Sequence, residues 1–164
     1  MEPISAVGHC GLWTFRVQEV CPLSQLQSMT LEELYDEFDF LGDWESRCEY
    51  LIELGFDLPP FPDEARTEEN RVHGCQSNVW MVANARDGDQ PAVDILADSD
   101  AMIVRGLIAV LLTLYSGRSP REILETDPQE VFSRLGLDRH LSTARKNGLV
   151  GMVRRIQALA AQAA

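Results

Sequence analysis

The residues best suited to chemistry lie in one short stretch, Arg71-Val72-His73-Gly74-Cys75-Gln76-Ser77. A cysteine there follows a glycine, and glycine reaches backbone angles closed to other residues. Gly74 can therefore present the Cys75 sulfur at a loop tip, where a thiolate acts as a nucleophile. His73 stands two residues before Cys75, so on an extended strand the two side chains point to one side, as a Cys-His pair would require. A hydrolase also needs an orienting group and an oxyanion hole, and the sequence shows neither. The alternative to a reactive thiol is a small buried hydrophobe, the commoner fate of a free cysteine.

Cys10, Cys21, Cys48 and Cys75 are spaced 11, 27 and 27 apart, without the CxxC pairs of zinc or dithiol redox sites. The expected compartment is the cytosol, where such cysteines stay reduced, because no basic segment followed by an apolar run opens the chain. His9 and His140 stand alone, and three scattered histidines without a carboxylate cluster argue against a metal site. The single lysine, Lys146, follows no glycine-rich loop, which argues against a P-loop. The longest apolar run, Leu107 to Leu112, is far short of the roughly 18 residues a membrane span needs.

The 164 residues carry a net charge of −12, and nearly all of it falls between residues 29 and 70. That segment has 14 acids against Arg47 and Arg66. A phosphate-backbone binder needs the opposite balance, so nucleic acid is not the expected partner. The carboxylates read as solvated helix faces.

The elements that position Cys75 are legible around it. Thr30 to Glu33 has the spacing of a capping box, and Leu31, Leu34, Tyr35, Phe38 and Leu41 recur at helical spacing up to Gly42. A second helix starts at Asp43, buries Trp44, Cys48, Leu51 and Ile52, and is expected to end at Gly55. Three prolines between Leu58 and Pro62 make a surface turn. Val79 to Arg86 and Ala92 to Ala97, joined by Asp87-Gly88-Asp89, predict a hairpin, and Arg71 and Val72 suggest a short third strand. Ala101 to Tyr115 is apolar nearly all round and predicts the buried central helix. Ser119-Pro120 and Asp127-Pro128 each open a short helix. A final helix from about Ser142 carries Leu149, Met152, Val153, Ile156 and Leu159 on one face. The expected class is α+β, a small antiparallel three-stranded sheet backed by helices, in one domain over residues 29–164. Residues 1–28 have no clear period and read as an extension, with Met29 an alternative start.

The string Thr67 to Trp80, centred on Gly74-Cys75-Gln76-Ser77, resembles the signature of the SufE/CsdE sulfur-acceptor family. Further matches stand in order: Trp44 with Tyr50 to Gly55, Leu58-Pro59, Asp98-Ser99-Asp100-Ala101, Ile103-Val104, Gly106-Leu107 and Leu114-Tyr115. His140-Leu141-Ser142, Arg145, Asn147-Gly148-Leu149 and Met152 complete the series, which runs over about residues 31–160. The resemblance implies a SufE/IscU-like fold and a partner protein instead of a free-standing enzyme. Such a protein accepts sulfur on Cys75, supported by Gly74, Gln76 and Ser77, from a cysteine desulfurase of the SufS/CsdA type. The acceptor needs no cofactor of its own, the PLP belonging to the desulfurase, and it passes the persulfide sulfur to an Fe–S scaffold. Arg145 and Asn147 match positions close to the partner-contact surface, and Asp100 matches the family's Asp near the helix beside the cysteine loop, read either as partner-binding or as a helix N-terminal charge. The resemblance leaves open whether the chain is a monomer or a homodimer. Two rival readings remain: a thiol-dependent enzyme using Cys75 with His73, and an adaptor that binds a partner through its acidic helices without a covalent step.

Overall fold

The computed structural model describes residues 29–164. The expected extension, residues 1–28, with His9, Cys10 and Cys21, lies outside the described residues.

Helix α1 runs Leu31–Leu41 and begins with the expected capping box, in which Thr30 and Glu33 exchange side-chain and backbone hydrogen bonds. Gly42, at φ +74°, ends it. Helix α2, Trp44–Phe56, is capped by Asp43, whose carboxylate accepts from the Ser46 N–H. It does not stop at Gly55 as expected. Gly55 lies inside the helix because the central helix crosses there, and an added Cβ would stand 2.9 Å from both the Arg105 Cβ and the Gly106 nitrogen. Gly106 answers it from the other side, with its missing side chain leaving room for the Leu51 carbonyl. The glycines serve a close helix crossing, and the helix end falls to Asp57.

The sheet is a hairpin of β1, Val79–Arg86, and β2, Ala92–Ser99, paired antiparallel from Val79 opposite Ser99 to Arg86 opposite Ala92. Val79 and Met81 of β1 and Val93, Ile95 and Ala97 of β2 are buried, so one face of the hairpin packs on the core. The third strand expected at Arg71 and Val72 is not formed. Arg71 makes an isolated bridge to Trp80, flanked by the Val72 N–H donating to the Val79 carbonyl and the Met81 N–H donating to the Asn70 carbonyl. The backbone turn closing Glu68 to Arg71 on one side and the positive φ of Gly74 on the other leave too few extended residues for a ladder.

Helix α3, Met102–Tyr115, is the axis of the core, with ten of its residues buried. Short helices α4, Pro120–Glu125, and α5, Pro128–Arg134, start at Ser119 and Asp127 with proline in the first turn. A further turn, α6, Leu137–His140, follows. Helix α7, Thr143–Ala163, is capped by Ser142 and buries Leu149, Met152, Val153 and Ile156 against the hairpin and α3. The class is α+β, with seven helices on a two-stranded sheet among the described residues. The segment 70–78 is held between β1 and α7.

Candidate functional site

Cys75 sits in the loop that leads into β1. Gly74, at φ +93°, turns the chain immediately before it, a conformation that other residues reach only with strain. The side chain does not stand out into solvent. It is half-buried, and the Sγ lies 3.5 Å from the Gly148 carbonyl oxygen on α7. Burial pushes its thiol above the ordinary value, since removing water penalises the charged form.

Two glycines of α7 make this docking possible. A Cβ on Gly148 would lie 3.0 Å from the Cys75 Sγ, and one on Gly151 would lie 2.9 Å from the His73 carbonyl oxygen. The spacing of three puts both on one helix face, where the loop comes closest. Gly148 belongs to the matched series, but Gly151 was not singled out in the sequence. A row of small residues, Ala144, Gly148 and Gly151, along one helix face is the signal that would have found it.

The loop's exit is tied by Asp100. Its two carboxylate oxygens accept from the Asn78 backbone N–H at 3.0 Å and from the Asn78 side-chain amide at 2.8 Å. Its entry is tied through Asp98, which pairs with Arg66 at 2.7 Å and with Arg105 at 3.2 Å. The Arg66 guanidinium lies 5.1 Å from the Trp80 ring centroid, so the segment before the loop is fastened to the outer face of the hairpin.

His73 stands apart from this arrangement. It lies in the turn, not on a strand, with 73% of its side chain exposed, and its Nε2 is 3.4 Å from the Glu68 carboxylate. Cys48, on α2, is half-buried, and burial pushes its thiol up as well.

A cleft of about 250 Å³ opens beside Cys75. Gln76, Ser77 and the Cys75 side chain form one wall, and Ile103, Val104, Leu107 and Met152 an apolar floor. Ser142, Ala144 and Arg145 bring the start of α7 to its rim. Asn147 is exposed on the first turns of α7, next to the buried Gly148. The structure thus gathers Cys75, Gln76, Ser77 and Arg145 around one opening and places Asp100 on the loop's far anchor. Among the described residues no group of three His, Cys, Asp or Glu side chains converges as a metal site would need, and no helix is long and apolar enough to cross a membrane.

Fold and site together define a small α+β domain that offers one cysteine from a glycine-turned loop against a helix. The Fe–S metabolism associated SufE domain matches residues 32–160, and the chain belongs to the SufE family. An uncharacterized SufE-like protein of Rhizobium meliloti (strain 1021) is 46% identical over 129 residues, covering 78% of this chain and 92% of that one. A second such protein, from Rhizobium etli, is 48% identical over 129 residues, covering 78% of this chain and 87% of its own. The solution structure of a hypothetical protein from Thermus thermophilus superposes with a TM-score of 0.63 at 26% identity. The match covers 82% of this chain and 98% of that one.

Proposed function

We propose that the protein is the sulfur-accepting partner of a PLP-dependent cysteine desulfurase, and that Cys75 carries the sulfur. In this reading the desulfurase holds sulfur as a persulfide on its own cysteine. The Cys75 thiolate attacks the outer sulfur, the S–S bond to the desulfurase breaks, and the desulfurase cysteine leaves as a thiolate. The Cys75 persulfide then passes to an Fe–S scaffold. The protein is a carrier that stimulates its partner and needs no cofactor of its own, and the cytosol is its place of action.

The observation that carries the reading is the seating of Cys75. Its sulfur rests against α7 behind a Gly74 turn, at the mouth of a cleft with an apolar floor. A thiol exchange needs one thiol that can be sheltered and presented in turn, without an acid, a base or a second cysteine. The membership in a family associated with Fe–S metabolism supports the same conclusion. An enzyme using Cys75 with His73 has less support, because the His73 imidazole faces Glu68 and solvent. Arg145 and Asn147, exposed beside the cleft, are assigned to the partner contact. Asp100 serves that contact through its hold on Asn78.

The test is to incubate the protein with a SufS-type desulfurase and L-cysteine and to map added sulfur by mass spectrometry. Persulfide on Cys75 in the wild type, and its loss in Cys75→Ser, is the expected result. Sulfur found on Cys48, or retained in Cys75→Ser, rejects the proposal. Desulfurase stimulation that survives Cys75→Ala would favour the adaptor reading instead.

A further inference from the structure

Apolar surface continues past the floor of the Cys75 cleft and out into solvent. Among the described residues five large apolar side chains are exposed: Phe40, Phe56, Met102, Leu124 and Val150. Of these, Met102 alone has both chain neighbours, Ala101 and Ile103, in the lining of the cleft. It is the first residue of α3 and is 52% exposed. Its stripe of the helix continues through Arg105 and Gly106, three and four residues on, where α2 crosses. Gly55, the last residue but one of α2, makes that crossing, and the next residue, Phe56, is 62% exposed. The end of α2 and the start of α3 therefore leave two large apolar side chains uncovered, each about one helical turn or less from the same contact. Apolar residues scattered singly over a surface are ordinary, whereas an apolar patch marks an interaction site.

We propose that Met102 and Phe56 form the apolar anchor on which the desulfurase docks to bring its persulfide to Cys75. The inference rests on the sulfur transfer proposed above. In that transfer the partner's outer sulfur comes within bonding reach of Sγ, and Sγ lies half-buried at the cleft. The partner's surface must then close over the rim, and one side of that rim is the start of α3. Asp100, two residues before Met102, holds Asn78 at the loop's exit, so a body seated on Met102 bears on the segment that ties the loop. The patch defines its complement: apolar side chains flanking the partner's persulfide cysteine. Methionine is unbranched and polarizable and adapts to an irregular surface, and methionine and aromatic residues are enriched where interfaces bury their apolar centre. Covered on docking, the two side chains exclude water from around the exchanging sulfurs. They contribute binding and orientation, and the bonds made and broken are those of the transfer itself.

The experiment titrates the full chain into a SufS-type desulfurase turning over L-cysteine and reads the protein concentration that gives half the maximal stimulation. Met102→Ser and Phe56→Ser are each expected to raise that concentration about fivefold, equivalent to about 1 kcal/mol, whereas the plateau rate is reached as before. Met102→Leu, close in volume, is expected to keep most of the contact. Leu124→Ser is the control. Leu124 is 45% exposed but follows the far end of α3, a helix about 20 Å long at 1.5 Å per residue, and its loss is expected to change nothing. Iodoacetamide alkylation of Cys75 in the free serine variants is expected to match the wild type. A raised half-maximal concentration that comes with altered alkylation assigns the residues to the loop's seat and overturns the docking assignment. Unchanged half-maximal concentrations in both serine variants, or an equal loss in Leu124→Ser, overturn it as well. So does a wild-type dimer, seen by light scattering, that Met102→Ser converts to a monomer, because the patch then belongs to a second copy. Failure of the desulfurase to load wild-type Cys75, read by mass spectrometry, overturns the partner reading and the anchor with it. Loading that is equally efficient in the wild type and the serine variants upholds the partner and overturns the anchor alone.

Discussion

The Cys75 Sγ rests 3.5 Å from the carbonyl oxygen of Gly148, on a helix face that has no side chain at that point. A protonated thiol can donate to that carbonyl, whereas a thiolate facing it meets only a lone pair. The docked loop therefore favours the neutral sulfur, in agreement with the upward push that burial gives the thiol.

Filling the seat is expected to release the loop. In Gly148→Ala the new Cβ stands 3.0 Å from Sγ, tighter than ordinary contact, and the loop is the softer partner. Alkylation of Cys75 by iodoacetamide is expected to speed up about fivefold, equivalent to about 1 kcal/mol of lost docking. The wild-type rate is expected to climb with pH more steeply than that of a free thiol. As pH rises through the ordinary thiol value of about 8.5, the undocked loop releases a proton that the docked one keeps, and linkage shifts the equilibrium outward. Equal rates for both proteins, measured by mass spectrometry from pH 7 to 10, would count against the seat.

Removing the Asp100 carboxylate is expected to loosen the loop without unfolding the domain. Asp100→Ala deletes both bonds to Asn78, each exposed and worth at most about 1 kcal/mol. Hydrogen exchange at residues 75–78 is expected to quicken, while Tm falls by no more than about 8 °C. A large Tm loss would show that Asp100 supports the core; unchanged exchange would show that Asn78 is held by other contacts.

The helices were legible in the sequence wherever their ends carried local chemistry. Thr30, Asp43, Ser119, Asp127 and Ser142 all cap where their side-chain oxygens suggest. The errors came where a tertiary contact or a neighbouring turn overrode a local signal. Gly55 resembles a helix stop but is kept helical by the crossing at Gly106, a contact distant in sequence. Arg71 and Val72 resemble a strand, but the Gly74 turn cuts the pairing to one bridge. At the site, Cys75 was legible from its glycine and the matched string. The part of α7 in its seat was not, because Gly148 and Gly151 act through the side chains they lack. The pairing of His73 with Cys75 failed as geometry because the strand it assumed is a turn.

The crossing of α2 and α3 gives a control for the loop variants. Gly106→Ala places a Cβ into the Leu51 carbonyl, and both partners are helix backbone that cannot swing aside. The variant is expected to lose about 1–3 kcal/mol of stability, read as a lower urea midpoint with an unchanged slope. Because the crossing lies outside the loop, alkylation of Cys75 under native conditions is expected to stay near the wild-type rate. An Ala variant as stable as wild type would mean that the helices can slide apart at no cost.

Tyr115, at the end of α3, offers the opposite kind of change. The side chain is fully buried and its hydroxyl has no hydrogen-bond partner among the described residues. A buried hydroxyl without a partner costs roughly 1–3 kcal/mol, so Tyr115→Phe is expected to raise stability at pH 7 by about 1 kcal/mol. The pH dependence has a definite sign. Burial, with a smaller contribution from Asp127, pushes the phenol from 10.0 up to about 12. Below pH 10 both folded and unfolded chains keep the proton, and the residue adds no pH dependence. Between pH 10 and 12 the unfolded chain releases it while the folded one retains it, so stability falls as pH rises. Urea unfolding at pH 7 and pH 11 is expected to show a smaller alkaline loss in Tyr115→Phe than in the wild type. A Phe variant less stable than wild type at pH 7 would show that the hydroxyl is satisfied by a buried water.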